Sequence, residues 1–391
     1  MNIILFDDHL RSQFLPLTFT RPVAELRFGI LTLKEKWECI SKATVSYQTQ
    51  SYLAQKYPKQ IEADAIYINA RYSASKAFLK EIETLGDNEV LKHDDIVLAY
   101  KLKKDETFDI PSLKEIQVQI ELDVINHCTD LFSKNHKAIT DDFLLLTQGR
   151  TSQPIPETVT CFNKDQIFIE EGAKLYNGTL NATAGPIYIG KDTEIMENCA
   201  IRGPFALCDK STLKMGSKLY TGTTIGPNSK VGGEINNSMI LGYSSKGHDG
   251  YLGNSVLGEW CNLGADTNTS NLKNNYANVK LWDYDSERFK DTGHQFCGLI
   301  MGDHSKCSIN TMFNTGTVVG VSANIFGAGF PRNFIPSFAW GGSHGIKTYQ
   351  LEKVFEVAKL VMQRRDEELS TVDKDILKAI FDTTKSFRKA D

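Results

Sequence analysis

The stretch Gly242–Ser255 places several chemically active side chains among glycines. It reads GYSSKGHDGYLGNS and contains Lys246, His248 and Tyr251. A neutral imidazole, whose ordinary pKa is about 6.5, can take a proton from an amine nucleophile near neutral pH. Backbone N–H groups in a glycine-containing turn can stabilise an acyl-transfer oxyanion, and a lysine ammonium can hold a phosphate. These residue types indicate acyl transfer to an amine, with His248 as the base.

Two amides and a small residue follow His248 at a useful spacing. Asn262, Ala265 and Asn271 lie roughly one turn of a repeat further on, a turn being about 18 residues. If the chain winds with that period, stacking would bring these residues near the imidazole. The elements around this stretch must therefore be a regularly wound scaffold.

The surrounding chain has a six-residue apolar period that begins at Ile189. The series continues through Ile195, Ile201, Leu207, Leu213, Leu219, Ile225 and Val231, and resumes at Leu257, Leu263, Met301, Cys307, Phe313, Val319 and Ile325. Such a period is typical of a parallel β-helix in which three hexads make one coil. The large residues fill the interior, and the coils must stack because one coil cannot bury its own apolar face. We predict this β-helix over residues 151–345.

The remaining chain predicts two other units. Residues 1–150 alternate between strand and helix patterns, which predicts an α/β domain. Residues 346–391 carry apolar residues spaced by three and four, which predicts C-terminal helices, the second with Ser370 as N-cap. Residues 266–298 lose the six-residue period, and a long irregular segment inside a solenoid favours a functional loop.

The composition excludes several classes of protein. With 44 basic and 48 acidic residues, the chain has no general attraction to nucleic acid or to an anionic membrane. No apolar run approaches the roughly 18 residues of a membrane helix, and the first apolar run is too short for a signal peptide. The eight cysteines show no zinc-ligand spacing. Reduced thiols and a cytoplasmic location are therefore expected.

The segment GHDGYLGNSVLGEWCNLGAD resembles the acetyltransferase segment of the bifunctional glucosamine-1-phosphate N-acetyltransferase/N-acetylglucosamine-1-phosphate uridylyltransferase family. The resemblance implies a left-handed β-helix, a homotrimer and acetyl-CoA as co-substrate. It also implies a catalytic base at His248, a sugar-phosphate contact at Tyr251, orienting amides at Asn262 and Asn271, and a backbone amide at Ala265 that meets the thioester carbonyl.

The chain departs from that family's pattern at two places. The segment IRGPFAL lacks the family's arginine, and Asn236 and Asn237 stand where the bacterial enzymes carry a basic pair. Binding of the sugar phosphate must then be redistributed. Lys246, Arg202 and Lys280 are the basic candidates.

The N-terminal stretch LPLTFTRPVAEL resembles a segment of sugar-phosphate nucleotidyltransferases. The resemblance implies a nucleotidyl step that uses Mg²⁺, with Arg21 holding a phosphate and Asp7 or Asp8 holding the ion. The preceding loop, FDDHLRSQF, contains none of the glycines that would cradle a nucleotide phosphate. Arg21 as a structural ion-pair residue is the alternative. Most of the chain is similar to a divergent bacterial family of such bifunctional proteins.

Three functions compete at this stage. The first is acetylation of a hexosamine 1-phosphate, presumed to be glucosamine 1-phosphate, followed by uridylyl transfer that gives UDP-N-acetylglucosamine. The second is a sugar-1-phosphate nucleotidyltransferase alone, such as a glucose-1-phosphate thymidylyltransferase, with a structural β-helix. The third is a scaffold without catalysis. A metal site of the γ-carbonic anhydrase type is disfavoured because no two of the eight histidines are five positions apart.

Overall fold

The computed structural model describes residues 2–61, 65–102 and 112–388. It confirms an N-terminal α/β unit followed by a parallel β-solenoid and C-terminal helices. The left-handed sense of winding stays a prediction. No helix in the described ranges is long and apolar enough to cross a membrane.

The N-terminal unit is built on a six-stranded mixed sheet. Its strands are β1 (Asn2–Phe6), β2 (Thr44–Gln48), β3 (Ala65–Asn69), β4 (Glu89–His93), β5 (Ile96–Lys101) and β6 (Lys114–Gln117), in the order β2-β1-β3-β5-β4-β6. Strand β1 is parallel to β2 and β3, whereas β5 is antiparallel to β3 and β4. Every residue of β1 is buried, as expected for an apolar run at the centre of a sheet.

In the described ranges, four α-helices accompany this sheet. They are α1 (Leu33–Ser41), α2 (Lys76–Glu83), α3 (Asp130–Ser133) and α4 (Asn135–Thr147). Helix α1 starts at a capping box in which the Thr32 hydroxyl accepts from the Glu35 N–H and the Glu35 carboxylate accepts from the Thr32 N–H. Helix α2 starts at the N-cap Ser75, whose hydroxyl accepts from the Phe78 N–H.

The solenoid has three faces. Face 1 contains β7 (Val159–Phe162), β10 (Gly178–Asn181), β13 (Cys199–Arg202), β16 (Lys218–Leu219), β19 (Glu234–Asn236) and β22 (Tyr251–Gly253), and the pair β25 (Asn268–Thr269) and β30 (Met312–Phe313) follows β22. Face 2 contains β8 (Ile167–Ile169), β11 (Ile187–Ile189), β14 (Phe205–Leu207), β17 (Thr223–Ile225), β20 (Met239–Gly242), β23 (Val256–Glu259), β28 (Leu299–Met301), β31 (Thr317–Val319) and β33 (Phe334–Ile335). Face 3 contains β9 (Lys174–Leu175), β12 (Glu194–Ile195), β15 (Thr212–Leu213), β18 (Lys230–Val231), β21 (Ser245–Lys246), β24 (Asn262–Leu263), β29 (Lys306–Cys307), β32 (Asn324–Ile325), β34 (Ala339–Gly342) and β35 (Gly345–Thr348).

The six-residue period is confirmed as the interior of the solenoid. All the periodic residues are buried in one continuous apolar cluster. Successive coils pair in parallel with these residues in register, so that Ile189 aligns with Leu207 and Leu207 with Ile225. Each aliphatic side chain thus stacks on its counterparts in the neighbouring coils, which buries a face that one coil alone would expose.

Face 2 is apolar on its outer side as well. The middle residues of its first strands, Phe168 and Tyr188, point outward and pack in a cluster with Ile139 and Phe143 of α4. Further along, outward residues such as Met239 join the core of the N-terminal unit. The N-terminal unit therefore covers face 2 and leaves most of face 1 open.

The irregular segment 266–298 contains an ordered hairpin. Its strands are β26 (Lys280–Asp283) and β27 (Arg288–Asp291), which pair antiparallel. The tip reaches the N-terminal unit, where the Tyr284 and Phe19 rings meet edge-on with centroids 5.3 Å apart. The Gln13 amide also donates to the Asp285 carboxylate at 2.9 Å.

The C-terminal helices are α5 (Leu351–Gln363) and α6 (Thr371–Thr383). The predicted N-cap is confirmed, because the Ser370 hydroxyl accepts from the Asp373 N–H and the Asp373 carboxylate accepts from the Ser370 N–H. Ile376 and Ile380 of α6 pack into the core of the N-terminal unit. The helices therefore close the joint between the two units.

Candidate active site

His248 lies in the turn that leads from face 3 to face 1, between β21 and β22, and is exposed. Gly250, two residues further on, has a φ of 117°. A Cβ at that position would overlap the carbonyl oxygen of Thr267 in the next coil. Only glycine fits here, because it tolerates both the positive φ and the close approach of the next coil. The corner thus presents the imidazole to solvent on a tightly packed turn.

Ala265 occupies the corresponding turn of the following coil. The N–H of Asp266 donates to the carbonyl of Asp249 at 3.1 Å, which places the turn at Ala265 directly after the turn at His248. Within the described ranges the N–H of Ala265 donates to no protein acceptor, so it is available to a ligand. The structure therefore brings His248 and Ala265 to one corner of the solenoid, as predicted from their spacing.

Tyr251 and Asn271 are also brought together. The Asn271 Nδ2 donates to the Tyr251 hydroxyl oxygen at 3.1 Å and to the Asn254 Oδ1 at 2.8 Å. The Tyr251 hydroxyl keeps its own proton for a ligand. Sequence reasoning missed Asn254, although it closes the GYLGN motif that contains Tyr251. The amide side chain at the end of this motif was the signal that could have revealed it.

Asn262 lies on the outer side of face 3 and is exposed. It pairs in register with Ser245 on one side and with Lys306 on the other. It therefore sits on the face that leads into the corner, three positions before Ala265. The structure does not place it in the Tyr251–Asn271 hydrogen-bond network.

Lys246 does not face a ligand, in contrast to the prediction that it holds the sugar phosphate. It aligns with Val231, so it occupies an interior position of face 3, and only 2% of it is exposed. Its Nζ donates to the carbonyls of Gly232 at 3.0 Å and His248 at 2.9 Å. Burial lowers the pKa of this ammonium to about 8. The side chain therefore holds the turn that carries His248 in place.

The other two predicted phosphate ligands lie elsewhere. Arg202 is exposed on β13, which is three strands from β22 in face 1. Adjacent strands are about 4.8 Å apart, so this separation is about 14 Å. Lys280 lies on the hairpin strand β26 and lines a separate cavity. The three predicted cations are thus dispersed rather than gathered at the corner.

Arg21 is buried in the joint between the two units rather than open to a phosphate. Its guanidinium pairs with the Glu259 carboxylate at 2.9 Å and with the Asp303 carboxylate, and 4% of its side chain is exposed. Both partners belong to the solenoid. The structure therefore gives Arg21 the alternative role of a structural ion-pair residue.

Asp7 and Asp8 do not fit the predicted Mg²⁺ site. The Asp7 carboxylate accepts from the Val23 N–H at 2.9 Å and the Thr49 hydroxyl at 2.6 Å. Burial raises its pKa, which disfavours the charged form that would bind a metal. Asp8 accepts from Arg71 Nη2 at 2.7 Å. In the part of the chain that the structure describes, no three His, Cys, Asp or Glu side chains are grouped so that they could hold a metal ion.

Comparison with known proteins finds one matching family model and several similar proteins. Residues 3–151 match the family model described as "Sugar nucleotidyl transferase". The chain is 36% identical over 87 residues to the "Bifunctional protein GlmU" of Methanocaldococcus jannaschii, which covers 22% of this chain and 21% of that protein. It is 31% identical over 144 residues to a "Bifunctional sugar-1-phosphate nucleotidylyltransferase/acetyltransferase" of Sulfurisphaera tokodaii, covering 36% and 35%.

One solved structure, that of the polySia specific acetyltransferase NeuO, matches 49% of this chain and 81% of the NeuO chain. The identity is 14%, and the TM-score of 0.22 is too low for a structural inference. The chain spans 21% of the length of the Methanocaldococcus jannaschii protein and 35% of the length of the Sulfurisphaera tokodaii protein. The predicted resemblance is nevertheless confirmed: residues 3–151 match the sugar nucleotidyl transferase model, in a chain that is similar to bifunctional nucleotidylyltransferase/acetyltransferases.

Proposed function

We propose that the solenoid transfers an acetyl group from acetyl-CoA to the amine of a hexosamine 1-phosphate, with glucosamine 1-phosphate as the substrate. The observation that carries this proposal is the corner itself. An exposed imidazole at His248 lies one coil before an available backbone N–H at Ala265. Tyr251 lies on β22, which follows the first turn, and Asn271 comes two residues after β25, which follows the second; the two side chains are hydrogen-bonded.

The reaction requires a base, an oxyanion donor and a substrate clamp. His248 would take a proton from the substrate ammonium, and the amine nitrogen would then attack the thioester carbonyl carbon. The Ala265 N–H would donate to the oxyanion while the new C–N bond forms. When the C–S bond breaks, the imidazolium would give its proton to the CoA sulfur, and the excess proton on the attacking nitrogen would leave to solvent as the neutral amide forms. The Tyr251 hydroxyl would donate to the sugar phosphate.

We also propose that residues 3–151 carry the nucleotidyl step. In this step UTP and N-acetylglucosamine 1-phosphate give UDP-N-acetylglucosamine and pyrophosphate. The family match over this segment supports it. Asp7 and Asp8 are engaged in internal contacts and do not fit a Mg²⁺ site for this step. A homotrimer in the cytoplasm is the assembly and location that we propose.

The acetyl step is tested by measuring free CoA with a thiol probe in the presence of glucosamine 1-phosphate and acetyl-CoA. Loss of a general base costs about 10²- to 10⁴-fold in rate, so we expect that reduction in the His248→Ala variant. The matched control is His344→Ala, which removes another exposed histidine of the solenoid. Equal rates in wild type and His248→Ala would show that the proposed base is wrong.

The nucleotidyl step is tested by pyrophosphate release, with and without Mg²⁺. UTP with N-acetylglucosamine 1-phosphate is compared with dTTP and glucose 1-phosphate. We expect release with the first pair, and we expect it to be unchanged by His248→Ala. Release only with the second pair, together with no acetyl transfer, would favour the nucleotidyltransferase with a structural solenoid.

A further inference from the structure

The hairpin that interrupts the solenoid forms a second cavity, distinct from the His248 corner. Its volume is about 690 Å³, within the range of about 300–1,000 Å³ that small-molecule sites occupy. Three cations and three aromatic residues line it, namely Lys273, Lys280, Arg332, Trp282, Phe289 and Phe334. Among the described lining residues there is no carboxylate.

The aromatic residues pack against one another at the cavity. The Trp282 and Phe334 rings stack with centroids 4.2 Å apart and planes inclined by 12°, and Phe289 meets Trp282 edge-on. Phe289 is 42% exposed. The Trp282 Nε1 is buried and has no hydrogen-bond partner within the described ranges. A planar aromatic ligand would extend the stack and cover apolar surface that now faces water.

The cations are not neutralised by the protein. Lys280 and Arg332 are exposed, and within the described ranges neither forms an ion pair. Asp291 lies opposite Lys280 in the hairpin, but its carboxylate accepts from a backbone N–H two residues further on. Lys273 donates to the carbonyl of Asn278 and keeps two further protons for a ligand. The positive charge of the cavity is therefore available to an anion.

We propose that this cavity binds a nucleoside diphosphate group, with the base on the Trp282–Phe334 stack and the phosphates at Lys280 and Arg332. This binding does not require the chemistry proposed at His248. Two molecules carry the chemistry: CoA, through its adenosine diphosphate part, and a uridine nucleotide from the nucleotidyl step. The irregular segment of the solenoid would then be a ligand-binding loop, which accounts for its departure from the repeat.

The test is calorimetric titration of the full chain with ADP, UDP, CoA, adenosine and inorganic phosphate. We expect ADP, UDP or both to bind at least about tenfold more tightly than adenosine or phosphate alone, because each supplies only half of the contacts. The double variant Lys280→Ala/Arg332→Ala should weaken that binding by at least about tenfold. The matched control, Lys174→Ala/Lys191→Ala, removes two other exposed solenoid lysines and should bind as wild type does.

Several outcomes separate the possibilities. Competition by CoA but not UDP identifies CoA as the source, and the reverse identifies the uridine nucleotide. Unchanged affinity in Lys280→Ala/Arg332→Ala would assign any nucleotide binding to another part of the chain and would overturn the proposal, as would no binding of ADP, UDP or CoA. The exposed Phe289→Ala variant should also weaken binding, by about threefold or more. His248→Ala should leave ADP affinity unchanged, so failure of acetyl transfer is distinguishable from failure of this cavity.

Discussion

The N-terminal unit and the His248 corner contain similar kinds of reactive side chains but use them differently. Around Arg21 and Asp7 the charged groups are buried and already engaged by protein partners. At the corner, His248 is exposed and the Tyr251 hydroxyl keeps a proton to donate. Residue type alone therefore does not identify a site, because a side chain can act on a ligand only with atoms that the fold leaves unpaired.

The origin of the difference lies in what surrounds each group. The partners of Arg21 come from the solenoid, so the charge of its guanidinium is paired within the joint between the two units. In the part of the chain that the structure describes, His248 and Asp249 at the corner are exposed, and their short turn projects the side chains outward. The following predictions test this contrast from the largest expected effect to the smallest.

Arg21→Met should destabilise the protein by about 3–5 kcal/mol, because it leaves two carboxylates at the joint without their partner. Urea denaturation measures this effect. Arg202→Met, which removes an exposed arginine from face 1, is the control and should change stability by no more than about 0.5 kcal/mol. If Arg21→Met instead kept full stability and lost only pyrophosphate release, Arg21 would be a phosphate ligand and the contrast would fail.

Lys246→Met should lower the acetyl-transfer kcat by about tenfold while stability stays equal or rises. The variant places an apolar side chain in an interior column, which often stabilises relative to a buried charge, but it releases the carbonyl of the catalytic turn. Lys230→Met, on the preceding strand of face 3 and exposed, is the control and should change neither quantity. A variant that lost stability and activity together would indicate a purely structural role.

The same residue predicts a pH dependence. The folded pKa of Lys246 is lowered to about 8 from an ordinary value of 10.5, so the unfolded chain binds more protons between these two values. The free energy of unfolding of wild type relative to Lys246→Met should therefore rise from pH 8 to 10.5 and be level outside that window. A difference that falls with rising pH would show that the ammonium is stabilised rather than penalised by burial.

Tyr251→Phe should have the smallest effect. One hydrogen bond is worth about 0.5–1.5 kcal/mol, so we expect the KM for glucosamine 1-phosphate to rise about three- to tenfold with little change in kcat. Tyr220→Phe, at an exposed tyrosine of face 1, is the control. A fall in kcat with an unchanged KM would move Tyr251 from substrate binding to the chemical step.

The sequence predicts the solenoid well because its period directly reflects the inward direction of one residue per strand. The prediction fails at Lys246 because the coils there are shorter than 18 residues. Lys246 aligns with Val231, which lies fifteen positions earlier. A strict six-residue count from Val231 therefore does not reach this interior position. It could not choose between the roles of Arg21, since Glu259 and Asp303 lie more than 200 positions away. The hairpin was visible only as a loss of pattern, because it is held by residues outside the repeat's register, such as Phe19 of the N-terminal unit and Phe334 of the solenoid.

Face 2 is buried on both its inner and its outer side, and this has a practical consequence for dividing the protein. In a chain that began at residue 151, the outer side of this nine-stranded sheet would be exposed to solvent. Apolar side chains such as Phe168, Tyr188 and Met239 would no longer pack against the N-terminal unit. Exposed apolar surface of that extent promotes aggregation. The solenoid should therefore be purified and assayed with its N-terminal half attached, even when only acetyl transfer is of interest.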